Sequence, residues 1–180
     1  MNKKFLIVLL IIVCLPVSRL IGQNSGPDVP SFRERLFYGG NFGLQFGSVT
    51  DISISPIIGY WLFPRVAVAM GPEYRFYKFE ENVYNIVGAK LYTELYIVQD
   101  LANVIPIRVN LGIFAHLEDE VLNILSGSEG TYRINTVLFG GGISQRIGVG
   151  SSVNIMALWA VGGSGYEYYG NPEIRIMFLF

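Results

Sequence analysis

This chain contains little cysteine or histidine and carries almost no net charge. Among its 180 residues there is one cysteine, Cys14, and one histidine, His116. A single cysteine excludes a disulfide framework and a cysteine-based metal site within the chain. The formal net charge of −1 leaves no basic excess of the kind that attracts nucleic acid. These absences point away from disulfide-stapled, zinc-binding and nucleic-acid-binding proteins.

The longest apolar run lies at the amino terminus. Lys3 and Lys4 precede an uninterrupted apolar stretch at residues 5–15, and Pro16 follows it. The run is shorter than the roughly 20 residues that a membrane-spanning helix needs. A short positive segment followed by a short apolar one is typical of a cleaved export signal. We therefore expect residues 1–22 to be a signal peptide.

Cleavage would leave a periplasmic leader at residues 23–35 and a folded domain at residues 36–180. It removes three basic residues and no acidic one, so the mature net charge becomes 10 − 14, or −4. It also removes Cys14, for which the alternative role is a lipoprotein anchor. Val13 disfavours that alternative, because a small residue is expected before an anchoring cysteine.

From residue 36 onwards, apolar and polar side chains alternate with a period of two. Tyr38 and Phe42 share one face of the first segment, for example, and Asn41 lies on the other. Such segments recur about eight times, separated by residues that favour turns, and no helical period persists. The pattern predicts an all-β fold, an antiparallel up-and-down β-barrel of about eight strands.

Three further features favour a barrel that spans a membrane. The polar faces carry mostly small residues and isolated charges, which suits a narrow interior. Aromatic residues fall near strand ends, where interfacial girdles lie. Finally, short turns at 63–65 and 146–148 alternate with longer predicted loops at 78–85, 118–131 and 160–171. In such a barrel the apolar faces meet lipid, whereas in a secreted lipocalin-like binder they would point inward.

The last strand and the first hairpin carry a resemblance to a known family. Residues 174–180, 38–47 and 55–60 resemble the closing strand and opening hairpin of OmpA/OmpX-like outer-membrane barrels. This resemblance implies a Gram-negative outer membrane, periplasmic termini, and contact with outer-membrane lipids. It also implies that the barrel-assembly machinery reads an insertion signal in the last strand, formed by Ile174, Ile176, Phe178 and Phe180.

Charged side chains on the polar faces form the candidate site. We expect them to meet inside the barrel, where unpaired charges are costly and pairing is favoured. One interpretation is an ion-pair plug, and the alternative is the charged constriction of a narrow, porin-like channel. Eight strands leave little open bore, which favours the plug. The candidates are Glu73, Arg75, Lys90, Glu94, Arg108, Arg133, Glu173 and Arg175.

No catalytic or metal-binding constellation is expected. His116 is interpreted as a polar residue at a strand end and residues 118–120 as part of a solvated loop. A barrel-embedded lipid hydrolase would pair such a histidine with a serine two places on, but Glu118 stands there. The run Gly140, Gly141 and Gly142 is expected to bend or bulge the sixth strand.

These expectations converge on a non-enzymatic integral outer-membrane protein without a cofactor. Its predicted role is structural, or an interaction with an unidentified surface ligand or protein partner through the external loops. A narrow channel or transport accessory is the second hypothesis, and a secreted lipocalin-like binder the third.

Overall fold

The computed structural model describes residues 31–45, 49–79, 82–105, 110–126, 130–166 and 172–180. The chain divides into an amino-terminal unit, Met1–Ser31, and a second unit, Phe32–Phe180. The expected signal peptide and most of the leader lie outside the described residues. In the described parts of the chain no helix is long and apolar enough to cross a membrane.

Eight antiparallel strands make up the second unit. They are β1 (Leu36–Gln45), β2 (Val49–Phe63), β3 (Val66–Phe79), β4 (Asn82–Val98), β5 (Leu111–Ser126), β6 (Gly130–Gly148), β7 (Ser151–Gly163) and β8 (Glu173–Leu179). Each strand pairs with the next, and β1 also pairs with β8 to close the barrel. Two short 3-10 turns, Arg33–Arg35 and Leu101–Asn103, precede β1 and β5. The predicted all-β, up-and-down barrel of eight strands is confirmed.

Alternation along the strands places apolar side chains on the outside of the barrel. Met70 and Leu91 are 59% and 57% exposed, although both lie in the middle of their strands. Polar neighbours on the opposite face, such as Asn41, Ser55 and Glu94, are buried. Large exposed apolar side chains in the middle of strands are unusual in a water-soluble globular domain, and the interior holds a cluster of buried apolar side chains beside the polar ones.

Two of the three long loops predicted from the sequence are wrong. Strands β3 and β4 are joined by residues 80–81 alone, and β5 and β6 by residues 127–129. The predicted loop at 118–131 is mostly strand, in which Glu118 and Glu120 point into the barrel and Asp119 points outward. The longest connection, residues 99–110, instead lies at the end of the barrel where β1 begins and β8 ends, which we call the termini end.

The two short turns are also at that end. Pro64 and Arg65 form the turn between β2 and β3, as predicted. The second turn lies at Val149 and Gly150 rather than at 146–148. Gly150 has a φ of 77°, a conformation that glycine adopts readily, so the turn forms there.

The glycine run in β6 does not bulge. Pairing is continuous through Gly140, Gly141 and Gly142, and the register shifts lie elsewhere in β6, on either side of that run. A Cβ at Gly140 or Gly142 would collide with a backbone oxygen of β7. Glycine therefore permits a close approach between strands at this point.

Candidate functional site: the charged interior of the barrel

A row of aromatic rings lines the interior at the termini end of the barrel. Ring centroids are 5.8 Å apart for Phe37 and Trp61, 5.3 Å for Trp61 and Tyr96, and 5.5 Å for Tyr96 and Phe114. The Tyr96 hydroxyl lies 3.4 Å from the Ser144 hydroxyl, within hydrogen-bond distance. The rings come from four strands, so together they fill much of the cross-section there.

His116 lies deeper in the interior between two carboxylates. Its Nδ1 is 3.2 Å from Glu94 Oε1, and its Nε2 is 3.4 Å from Glu118 Oε2. A neutral imidazole carries one N–H, so only an imidazolium can donate to both carboxylates at once. The ring stacks on Tyr92 with centroids 4.7 Å apart, and the Tyr92 hydroxyl donates to Met177 Sδ. These contacts hold the histidine as part of the packed interior.

Arg175 of β8 bridges the lumen to β5. Its Nη1 lies 2.5 Å from Glu118 Oε1, and its Nη2 lies 3.6 Å from Glu120 Oε1. Its Nε donates to Glu173 Oε1 at 2.9 Å. Because β5 and β8 are not neighbours in the sheet, this one guanidinium connects distant parts of the barrel wall.

A second bridge crosses the lumen from β4 to β1. Lys90 Nζ donates to Asn41 Oδ1 at 2.6 Å and lies 3.3 Å from Glu73 Oε2. Arg75 Nη2 is 3.2 Å from Glu73 Oε1 and 3.7 Å from Glu173 Oε1. Glu173 therefore joins this bridge to the one that Arg175 makes. The result is one continuous network of charges.

Carboxylates outnumber cations in this network. Within the described residues it contains Glu73, Glu94, Glu118, Glu120 and Glu173 against Arg75, Lys90 and Arg175, with His116 in addition. Neither oxygen of Glu120 accepts a hydrogen bond, although the side chain is fully buried. No cluster of acidic, histidine or cysteine side chains in the described ranges could hold a metal ion.

Six of the eight predicted site residues lie in this network. They are Glu73, Arg75, Lys90, Glu94, Glu173 and Arg175. The prediction for Arg133 is wrong, because Ile134 and Thr136 are the residues of β6 that face inward and Arg133 is exposed. Arg108 lies outside the described residues.

Three network residues were not recognised from the sequence as parts of the site. His116, Glu118 and Glu120 all lie on the inner face of β5 and are buried. The period of two does continue through them, which was the available signal. Asp119 obscured this signal because it is an acidic residue at an outward position, where an apolar side chain was expected. Its side chain is exposed and accepts a hydrogen bond from Asn135 Nδ2 at 2.8 Å.

The four residues of the expected insertion signal share the outer face of the last strand. Ile174, Ile176, Phe178 and Phe180 are all exposed. The inward positions between them are occupied by Arg175, Met177 and Leu179. The apolar side of β8 is thus separate from the side that bears the network.

The chain matches no protein-family model, and a search of the curated proteins finds none similar to it. Membership of the OmpA/OmpX-like superfamily therefore stays an expectation drawn from the residues of the first and last strands.

Proposed function

We propose that this chain is an integral outer-membrane β-barrel with a plugged interior and a structural or surface-interaction role. The observation that carries the proposal is the distribution of side chains between the inner and outer faces of the barrel wall. Charged groups pack inside the barrel, and apolar side chains cover its outside. Lipid is the solvent in which such an exterior is stable, and a closed barrel leaves no unpaired strand edge in it.

Exposed aromatic residues near the barrel ends support the same proposal. Tyr38, Phe63 and Phe180 lie close to the termini end and are 55%, 46% and 64% exposed. Aromatic girdles at the membrane interface have this placement. Asp119 is an acidic residue on the outer wall, and its hydrogen bond from Asn135 partly compensates its carboxylate.

The plugged interior favours a structural role over a channel. The ion pairs of Lys90 and Arg175 both cross the lumen. Around them, four large apolar side chains are almost completely buried: Phe114, Leu138, Met156 and Leu158. An eight-stranded barrel filled in this way has no room for general diffusion.

The end opposite the termini supplies the surface for interactions. Strands β5 and β6 carry exposed side chains close to their connection, including Tyr132 and Arg133. Paired strands therefore form this part of the surface, in contrast to the long loop predicted at 118–131.

Fractionation of cells that express the full chain tests the location. We expect the protein in the outer membrane, with an unboiled form that migrates faster on a gel than the boiled form. A closed barrel that resists detergent gives this shift. Recovery in the soluble fraction alone, without a shift, would overturn the proposal in favour of a secreted lipocalin-like binder.

Planar-bilayer recordings on the purified barrel test the plug. We expect no discrete conductance from the wild type. Steps that change in size in an Arg75→Gln variant would contradict the plug and establish the narrow channel instead.

A further inference from the structure

A polar recess opens at the termini end of the barrel, beneath the charged network. Its volume is about 250 Å³. Pockets that bury a drug-sized ligand measure roughly 300–1,000 Å³, so this recess has room for a single ring-sized group. Trp61 and Tyr96 line it from the aromatic row, and Ser144, Arg146 and Ser152 line it from β6 and β7.

Two hydrogen bonds join neighbouring chain segments at the rim of the recess. Gln99 Nε2 donates to the carbonyl oxygen of Pro64, which links the β2–β3 turn to the end of β4. The backbone N–H of Arg146 donates to the carbonyl oxygen of Asn110 at 3.2 Å. A preformed rim reduces the entropy lost when a ligand binds.

The chemistry of the lining selects one class of ligand. Aromatic faces carry negative charge density and attract the C–H bonds on one face of a sugar ring. Hydroxyl and amide side chains can hydrogen bond to its hydroxyl groups. Among the described residues that line the recess, Arg146 is the only charged one. Its guanidinium matches a carboxylate or phosphate in geometry.

We infer that this recess binds an anionic saccharide, with a carboxylated or phosphorylated sugar ring against Trp61 and Tyr96 and its anionic group on Arg146. The inference goes beyond the proposed function and is independent of it. The barrel itself forms the recess, whether lipid or water surrounds the outer wall, so failure of either idea leaves the other standing.

Trp61 makes the binding directly measurable. The chain has two tryptophans, so Trp159→Phe leaves Trp61 as the only indole. The full chain in this background is titrated with N-acetylmuramic acid, N-acetylglucosamine 6-phosphate and neutral N-acetylglucosamine. We expect saturable changes in fluorescence with the two anionic sugars and at least tenfold weaker binding of the neutral one. The two anionic arms distinguish a carboxylate preference from a phosphate preference.

Arg146→Gln tests the role of the guanidinium, and Arg133→Gln is its matched control. Both variants lose one positive charge, but Arg133 lies at the other end of the barrel. We expect Arg146→Gln to weaken binding of the anionic sugars about tenfold and Arg133→Gln to leave it unchanged. An absence of saturable binding at millimolar sugar, or equal binding of anionic and neutral sugars, would overturn the inference. Equal affinities of the two variants would also overturn it.

Discussion

At the scale of single residues, Glu118 and Glu120 are the most informative pair. Both lie on the inner face of β5, and both are fully buried. Glu118 has a guanidinium nitrogen at 2.5 Å and His116 at 3.4 Å. Glu120 has Arg175 at 3.6 Å and accepts no hydrogen bond. Glu118 therefore has close cationic partners, whereas the cation nearest to Glu120 lies farther away.

This difference predicts unequal effects of the same substitution on the free energy of unfolding. Glu118→Gln should lower the free energy of unfolding by about 3 kcal/mol, because it leaves buried cationic partners without their carboxylate. Glu120→Gln should change it by less than about 1 kcal/mol or raise it, since the nearest cation to this carboxyl group, Arg175, lies 3.6 Å away. Urea titrations of the folded barrel, followed by gel mobility, measure both. Equal losses in the two variants would contradict the partner assignment.

Most inward charges were predictable from the sequence because the period of two assigns each strand residue to a face. Lys90 and Glu94 follow directly from the alternation of β4. Which cation meets which carboxylate was not predictable, because Arg175 reaches Glu118 across the lumen. Such contacts depend on barrel closure rather than on local sequence.

At the scale of elements, the glycine run of β6 sets how closely the strands approach. A Cβ at Gly140 would meet the carbonyl oxygen of Ala157 in β7, which backbone pairing holds in place. At Gly162 nothing lies within 4 Å of the corresponding position. Close contact between backbones therefore requires glycine at position 140, whereas the space around position 162 would accept a side chain.

Alanine at these two positions tests this difference. Gly140→Ala should lower the free energy of unfolding by about 1–3 kcal/mol, because the added methyl group forces apart paired backbones. Gly162→Ala is the control and should shift it by less than about 1 kcal/mol. The same urea titrations compare them. A neutral Gly140→Ala variant would contradict the close approach.

Strand faces were predictable, whereas strand ends were not. Strand β5 continues to Ser126 because β6 pairs with it along its whole length. The period of two continues through Glu118 and Glu120, but the acidic side chains of residues 118–120 suggest a solvated loop when they are read without the partner strand. Ends of strands depend on the partner strand, so local composition is a poor guide to them.

At the scale of the whole molecule, the stability of the barrel depends on whether lipid or water surrounds it. Alternation predicted the closed sheet correctly but is equally compatible with either face pointing inward. The structure places the apolar faces outside, with Leu91 57% and Trp159 46% exposed. An exterior of this kind in water would promote association, whereas in lipid it is the favourable arrangement.

Quenching of Trp159 tests this central claim most directly. Trp61→Phe leaves Trp159, on the outer wall, as the only tryptophan, and Trp159→Phe provides the interior counterpart. In vesicles containing brominated lipids, we expect strong quenching of Trp159 by the bromines, little quenching of it by aqueous acrylamide, and no bromine quenching of Trp61. Strong acrylamide quenching of Trp159 without any effect of brominated lipid would contradict a lipid-facing outer wall.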